Sequence, residues 1–394
     1  MRRLVQMGLV RRVETALCVM ALCGLTGCDG FWVAKGSSSS SSNGTTGNYV
    51  YVANELAETL TAYSVGSGTL TAVSGSSVAL GETPQALVVT PNNKFLYMAS
   101  TNGYIYRYTI GSGGLLSGGT TAATASVVAM AISPNGDWLL GLDTSTTTPT
   151  IDKFPITIST GALGTEVPIT YSNTQAGTPA ITATIAPSDI KISADGDLVV
   201  AALGTAGDVI FTFNSAVSSG LLTSKGLVTV PTGITASDNA LAISSDSSYL
   251  YVARSSGTSG YNGLAVYLLT SGVPSVVSGS PFTAGTAPHS VVLNNSYAYV
   301  GNEGNSSVSP SISEYSVASD GTVSPLNTYT SSSSKWYPYA LTADKSGDYL
   351  LAISFAGYDD LTMFSYNAGA ISYVDSLMTG TTDPAGPIAI ATTH

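Results

Sequence analysis

Histidine is nearly missing from this chain: among 394 residues it occurs only at His289 and at the C-terminal His394. Charge is scarce too, with Asp, Glu, Lys and Arg together making up 9% of the residues, and no long amphipathic helical period runs through the sequence. The three cysteines, Cys18, Cys23 and Cys28, sit near the N-terminus. A disulfide framework, a thiolate metal site and a cysteine nucleophile are therefore excluded from everything beyond them, and stability has to come from packing. The Gly-Ser strings at Gly66–Gly68 and Gly111–Gly114 have no following helix and are not phosphate loops. No spaced Asp-x-Asp-x-Asp run marks a cation site. Asp359–Asp360 reads as a solvated loop in preference to a Ca²⁺ ligand pair, and no metal or cofactor is expected.

What the chain has in abundance is Gly (42 copies), Ser and Thr, the composition of many short strands joined by tight turns. The N-terminus differs from the rest. Arg2, Arg3, Arg11 and Arg12 precede an apolar run from about Thr15 to Leu25, an n-region followed by an h-region too short to span a bilayer. The run ends in Leu25-Thr26-Gly27-Cys28, which resembles the lipobox of bacterial lipoproteins; an ordinary signal peptide with an incidental cysteine is the alternative. The expected organisation is a signal segment over 1–27, a lipidated Cys28 with a Ser/Gly-rich tether over 28–47, and a folded domain over 48–394. The resemblance implies attachment to the bacterial cell envelope, with the leaflet left open. Removal of the signal segment takes four of the 13 basic and one of the 24 acidic residues, leaving a net charge of −14. Nucleic acid is thereby excluded as a partner, and contact with the membrane is expected through the lipid alone.

Seven segments repeat one order of elements, here lettered a to d. The b strands are Tyr49–Asn54, Phe95–Ser100, Trp138–Asp143, Leu198–Leu203, Tyr249–Arg254, Tyr297–Asn302 and Tyr349–Ser354, apolar on both faces as in strands sandwiched between sheets. Each c strand centres on an aromatic (Tyr63, Tyr108, Phe154, Phe213, Tyr267, Tyr315, Phe364), with a glycine shortly after it (Gly68, Gly114, Gly161, Gly220, Gly272, Gly321, Gly369) at the turn into strand d. Pro84, Pro187, Pro288, Pro338 and Pro387 open a strands, where a missing N–H costs least. Four strands per repeat predict an all-β fold: a seven-bladed β-propeller of four-stranded antiparallel blades. The first segment lacks an a strand and the last, Pro387–Ala391, is a lone one, so the two ends should pair and close the ring. A parallel β-solenoid is the competing architecture, but its coils are shorter. The domain is expected to be monomeric.

With this register, repeats such as YVYVANELAETLTAYSVGSGTLTAVSG followed by TPQALVVTPNNKFLYMAS resemble the blades of the seven-bladed lactonase family, which includes 6-phosphogluconolactonases; YVAN also resembles the YVTN repeats of surface-layer propellers. The resemblance covers about Asn48 to Thr393 and implies a pocket at the channel mouth where the d–a and b–c loops gather.

Ala287-Pro288-His289-Ser290-Val291 resembles that family's Pro-His element, and Asn302-Glu303 its Asn-Glu after strand b, repeated as Asn54-Glu55. Counting outwards from the a–b turn brings His289 and Glu303 to neighbouring strand ends at one mouth, and Arg254 ends the preceding b strand on the same face. His289, Glu303 and Arg254 are thus the candidate catalytic residues, and the catalytic reading requires them to converge within about 6 Å. Candidate binding residues are Glu55, Gln85, Asn239, Asn302, Trp336 and Tyr339, from the same strand ends. Blade packing is the alternative for Trp336 and Tyr339, and a capped turn or a channel-lining hydrogen bond for the polar residues. Against catalysis stand the lack of a second internal histidine, the survival of only Arg107 and Arg254 as arginines, and the expected export, which separates the chain from a cytosolic phosphorylated lactone. The expected function is an extracytoplasmic module binding a small molecule, glycan or protein, with hydrolysis of an unphosphorylated lactone as the alternative.

Overall fold

The computed structural model describes residues 45–145, 147–172, 181, 183–229, 233–331, 336–355, 359–380 and 384–394. The expected signal segment over 1–27, the lipidation site Cys28 and the tether as far as residue 44 lie outside them.

Seven antiparallel sheets form a ring. Their innermost strands are Pro84–Val89, Val127–Ile132, Asp189–Ile192, Ala236–Ile243, Pro288–Asn294, Pro338–Ala343 and Pro387–Thr392. Each packs against the next around a central channel, and the last packs against the first. The b strands fall where the sequence puts them, except that blade 4 ends at Ala202 and blade 5 runs on to Ser256. Ring closure is as expected: Pro387–Thr392 pairs with Tyr49–Asn54, Val52 opposite Ile390, so both chain ends share blade 1. The tether boundary moves. Lys345 Nζ donates to Thr46 O at 3.2 Å and Thr393 Oγ1 to Gly47 O at 3.1 Å, so the folded unit already includes these residues.

Apolar text on both faces of the b strands is explained by the seams between blades. Tyr51, Leu60, Met98 and Tyr108, for example, form one buried cluster between blades 1 and 2. The pairing of aromatic-led b strands with glycines after c strands proves to be a contact between neighbours. A methyl group on Gly114 would meet the Tyr49 ring at 2.5 Å, on Gly161 the Phe95 ring at 2.6 Å, on Gly321 the Tyr249 ring at 2.3 Å and on Gly369 the Tyr297 ring at 2.1 Å. Two residues along the same strands, Tyr51, Tyr97, Tyr251 and Tyr299 donate their hydroxyls to the carbonyls of those same glycines. Across the closing seam Gly68 N donates to Tyr349 Oη at 3.0 Å. At five of the seven seams, Gly220 under Trp138 included, a blade thus lays a ring on its neighbour's c–d turn, which only a glycine leaves room for; blade 4 offers Leu198 in place of a ring, and at the closing seam a methyl group on Gly68 would meet no ring within 4 Å.

Gly369 combines that contact with φ of +88°, a conformation that costs an L-residue about 1–2 kcal/mol. Gly369→Ala is expected to lower unfolding free energy by about 2–4 kcal/mol in urea titration, strain adding to overpacking. Gly81→Ala, at φ +65° with nothing within 4 Å, should cost only the strain. Equal losses at the two positions would refute the ring-on-glycine contact.

Candidate functional site

The channel mouth is built by a repeated irregularity. At the start of the inner strand in six blades the ladder with strand b shifts by one residue. Pro288 pairs with Asn302 and Ser290 with Gly301, leaving His289 unpaired between them. A β-bulge of this kind re-aims the extra side chain. The extra residues are Gln85, Val128, Asn239, His289, Tyr339 and Ile388. In blade 4 Ser188 takes the equivalent place, its N–H bonded to Ala202 O. All seven are half-buried.

Several of them reach across to the next blade. Ser188 Oγ donates to Asp238 O at 2.9 Å, and Asn239 Nδ2 to Pro288 O at 2.7 Å. His289 Nδ1 lies 2.9 Å from Tyr339 O. A carbonyl only accepts, so Nδ1 carries the proton, and in the neutral imidazole Nε2 holds the lone pair. Nε2 lies 3.9 Å from Glu303 Oε1. The imidazole also stacks on the Tyr339 ring, centroids 4.4 Å apart, and Tyr339 in turn lies 6.2 Å from Phe355. Burial, then the charges of Glu303 and Glu55, push the Tyr339 hydroxyl up from its ordinary pKa, so it stays a donor and both glutamates belong to the same mouth. Glu303 N is anchored on Ala287 O and Glu55 N on Gly386 O. Ala287 holds φ of +54°, a strained value of the kind stored beside sites.

Sequence reasoning thus places His289, Glu303, Glu55, Gln85, Asn239 and Tyr339 at the mouth, and the structure brings His289, Glu303 and Tyr339 together. Three other candidates need correction. Arg254 occupies the strand position of Asn302 but pairs with Asp238, and its guanidinium grips that carboxylate at 2.5 and 2.7 Å with 3% exposure. It belongs to the blade interior, and its charge is not presented beside His289. Asn302 is fully buried, its Nδ2 directed at Val300 O and at Ser311 and Ser313. Trp336 is 2% exposed, bonded to Thr362 and set edge-on to Tyr329 and Phe364, the blade-packing alternative. Asp359–Asp360 is also not the solvated loop expected: Asp360 is buried and accepts from Thr379 N at 2.7 Å. Arg107 reaches the adjacent blade, donating to Thr160 O.

Two features escaped the sequence. Lys191, on the inner strand of blade 4, pairs with Asp189 two residues before it on the same strand at 2.7 Å; the Asp-Ile-Lys-Ile alternation was a signal there to read. Asp208 is fully buried, and among the described residues no N–H donor reaches either of its oxygens. Burial, then the Asp238 charge, raises its pKa well above the ordinary 3.8, with Arg254 pulling the other way. A second carboxylate beside one guanidinium favours the neutral form of Asp208.

Residues 40–169 match the model of the family "Lactonase, 7-bladed beta-propeller". No curated protein matches the chain. Among solved structures, a proposed 6-phosphogluconolactonase from Bacteroides uniformis superposes with a TM-score of 0.68 at 17% identity, over 88% of this chain and 99% of that one. The periplasmic gluconolactonase PpgL of Pseudomonas aeruginosa gives 0.66 at 15% identity, over 88% and 99%. A Lactobacillus plantarum protein gives 0.64 at 14%, over 89% and 100%. The sequence resemblance to the lactonase family is thereby borne out; likenesses at these identities speak for the fold.

The raised pKa of Asp208 sets a pH dependence. A carboxyl whose folded pKa lies above its unfolded one stabilises fully below the unfolded value and loses that contribution as pH rises towards the folded one. Asp208→Asn, which keeps the side-chain shape and is neutral at every pH, should therefore raise Tm more at pH 8 than at pH 4, by calorimetry. A gain larger at pH 4 would contradict the raised pKa.

Proposed function

We propose that this chain is a lipid-anchored, extracytoplasmic propeller that binds a neutral, hydroxyl-rich ligand at the mouth carrying His289, Glu303 and Tyr339. The observation that carries this reading is the balance of groups there. Nδ1 of His289 is committed to Tyr339 O, so Nε2 and the Glu303 carboxylate stand as two acceptors 3.9 Å apart, a pair met by two neighbouring ligand hydroxyls that donate one proton each. The Tyr339 ring offers an aromatic face alongside, as sugar rings require. Neither the six bulge residues and Ser188 nor the residues that follow the b strands (Glu55, Thr101, Thr144, Leu203, Gly257, Glu303, Phe355) include a lysine or arginine. With Arg254 consumed by Asp238, an anionic ligand gains nothing here and is repelled by Glu55 and Glu303. Export rests on the Arg2-to-Cys28 sequence.

Lactone hydrolysis is the second reading, favoured by the His289–Glu303 pair and by the likeness to the gluconolactonase from Pseudomonas. In it, Nε2 takes a proton from the water whose oxygen attacks the lactone carbonyl, the ring C–O bond breaks, and the proton passes to the departing oxygen as Glu303 stabilises the transient imidazolium.

His289→Asn separates the readings without unlatching the blades, because Asn239 already makes the equivalent bond to the next blade. On the binding reading, His289→Asn and Glu303→Gln each weaken sugar affinity tenfold or more, about 1.4 kcal/mol, in calorimetry, while the wild type opens no lactone in a panel of aldonolactones followed by pH-stat. Wild-type turnover that His289→Asn abolishes at unchanged Tm would overturn it in favour of the hydrolase.

A further inference from the structure

A cavity of about 620 Å³ opens beside the His289 mouth, formed by loops of blades 4, 5 and 6. Its size lies in the range of small-ligand sites, about 300–1,000 Å³, but its lining is unusual for one. Of its 14 lining residues, eight carry hydroxyls and two are asparagines; the rest are Ala and Gly. Thr205, Ser237, Ser255, Thr258, Asn262 and Asn305 are representative. The lining therefore carries no charge, no aromatic ring and no large apolar side chain, and it offers both donors and acceptors throughout.

The cavity and the mouth are one surface. Thr286 and Ala287 line the cavity and lead through Pro288 into His289, while Gly304, on the same wall, follows Glu303. Asn239 joins the two: its Nδ2 donates to Ser255 Oγ on the cavity side at 3.1 Å and to Pro288 O on the histidine side at 2.7 Å. Ser237 Oγ donates to Asn239 Oδ1 at 2.9 Å. A ligand seated on Tyr339 and bridging His289 and Glu303 has a continuous polar path across Asn239 into this cavity.

We propose that the cavity is a second subsite for the same ligand, and that the ligand is a neutral oligosaccharide of at least two units. One ring lies at His289, Glu303 and Tyr339, and the next units enter the hydroxyl-lined cavity. Charged chains find no counter-charge there, and a peptide finds neither an apolar pocket for its side chains nor an open sheet edge for its backbone. The proposal rests on the sugar-binding reading of the mouth and adds the length and neutrality of the ligand.

Gly257 provides the test. It lines the cavity, and a Cβ added to it meets nothing within 4 Å, so Gly257→Trp fills the space without displacing the fold, which circular dichroism and Tm verify. Purified wild type and variant are applied to a printed array of neutral and acidic glycans from one to six units, and the neutral ladder that binds is titrated by calorimetry. Wild-type affinity should rise at least tenfold from monomer to trimer, and Gly257→Trp should bring the trimer down to the affinity of the monomer. Monomer binding with no gain on lengthening, or a length gain that Gly257→Trp leaves intact, overturns the second subsite and spares the mouth. Absence of binding to every glycan overturns both, as does a preference for acidic chains.

Discussion

Most of the seams in this molecule depend on an aromatic ring laid over a neighbour's glycine. Each blade alone is a four-stranded sheet with two apolar faces and two edges, and it has no disulfide to hold it. The ring-on-glycine contact fixes the spacing of adjacent sheets, and the tyrosine hydroxyl two residues along fixes their register by bonding that glycine's carbonyl. Aromatic rings bury more area per residue than other side chains, and a dense interior resists any change in their seating. Repeated at five seams and joined by the pairing of Pro387–Thr392 with Tyr49–Asn54, the contact helps turn seven marginal sheets into one body.

The mouth follows from the same closure. Inner strands converge on the channel, and their ladders yield one extra residue at the crowded end. That residue leans towards the next blade and bonds the start of its inner strand, as Ser188, Asn239 and His289 do. The side chains that latch the blades are therefore the ones a ligand meets. For His289 the latch also fixes the tautomer, leaving Nε2 facing Glu303. Fold stability and site chemistry share one hydrogen bond at this point.

Much of the architecture is legible in the sequence, because seam contacts leave repeated text: an aromatic opening every b strand except that of blade 4, a glycine closing each c–d turn, a spare strand at the C-terminus. His289 and Glu303 could be read as neighbours for the same reason. What could not be read was direction. A bulge inserts one residue into a period of two, so the side chains beyond it exchange faces, and the pattern of apolar residues does not announce where this happens. Asn302 and Arg254, taken as facing the mouth with Glu303, sit one residue short of it and point into the blade. The fate of Arg254 depends further on Asp238, which stands where Pro288 and Pro338 open other strands; a buried salt bridge in place of a proline follows from no local rule. Trp336 precedes its strand by two residues and turns into the packing of blade 7.

Scarcity of histidine makes the decisive measurement simple. In ¹⁵N-histidine spectra of the protein only His289 and His394 contribute. With Nδ1 bonded to Tyr339 O, His289 should appear in neutral solution as the Nδ1–H tautomer, with a pyridine-type Nε2 that shifts when a sugar oligomer is added. An Nε2–H tautomer, or an Nε2 signal indifferent to every glycan tried, would contradict the proposed mouth.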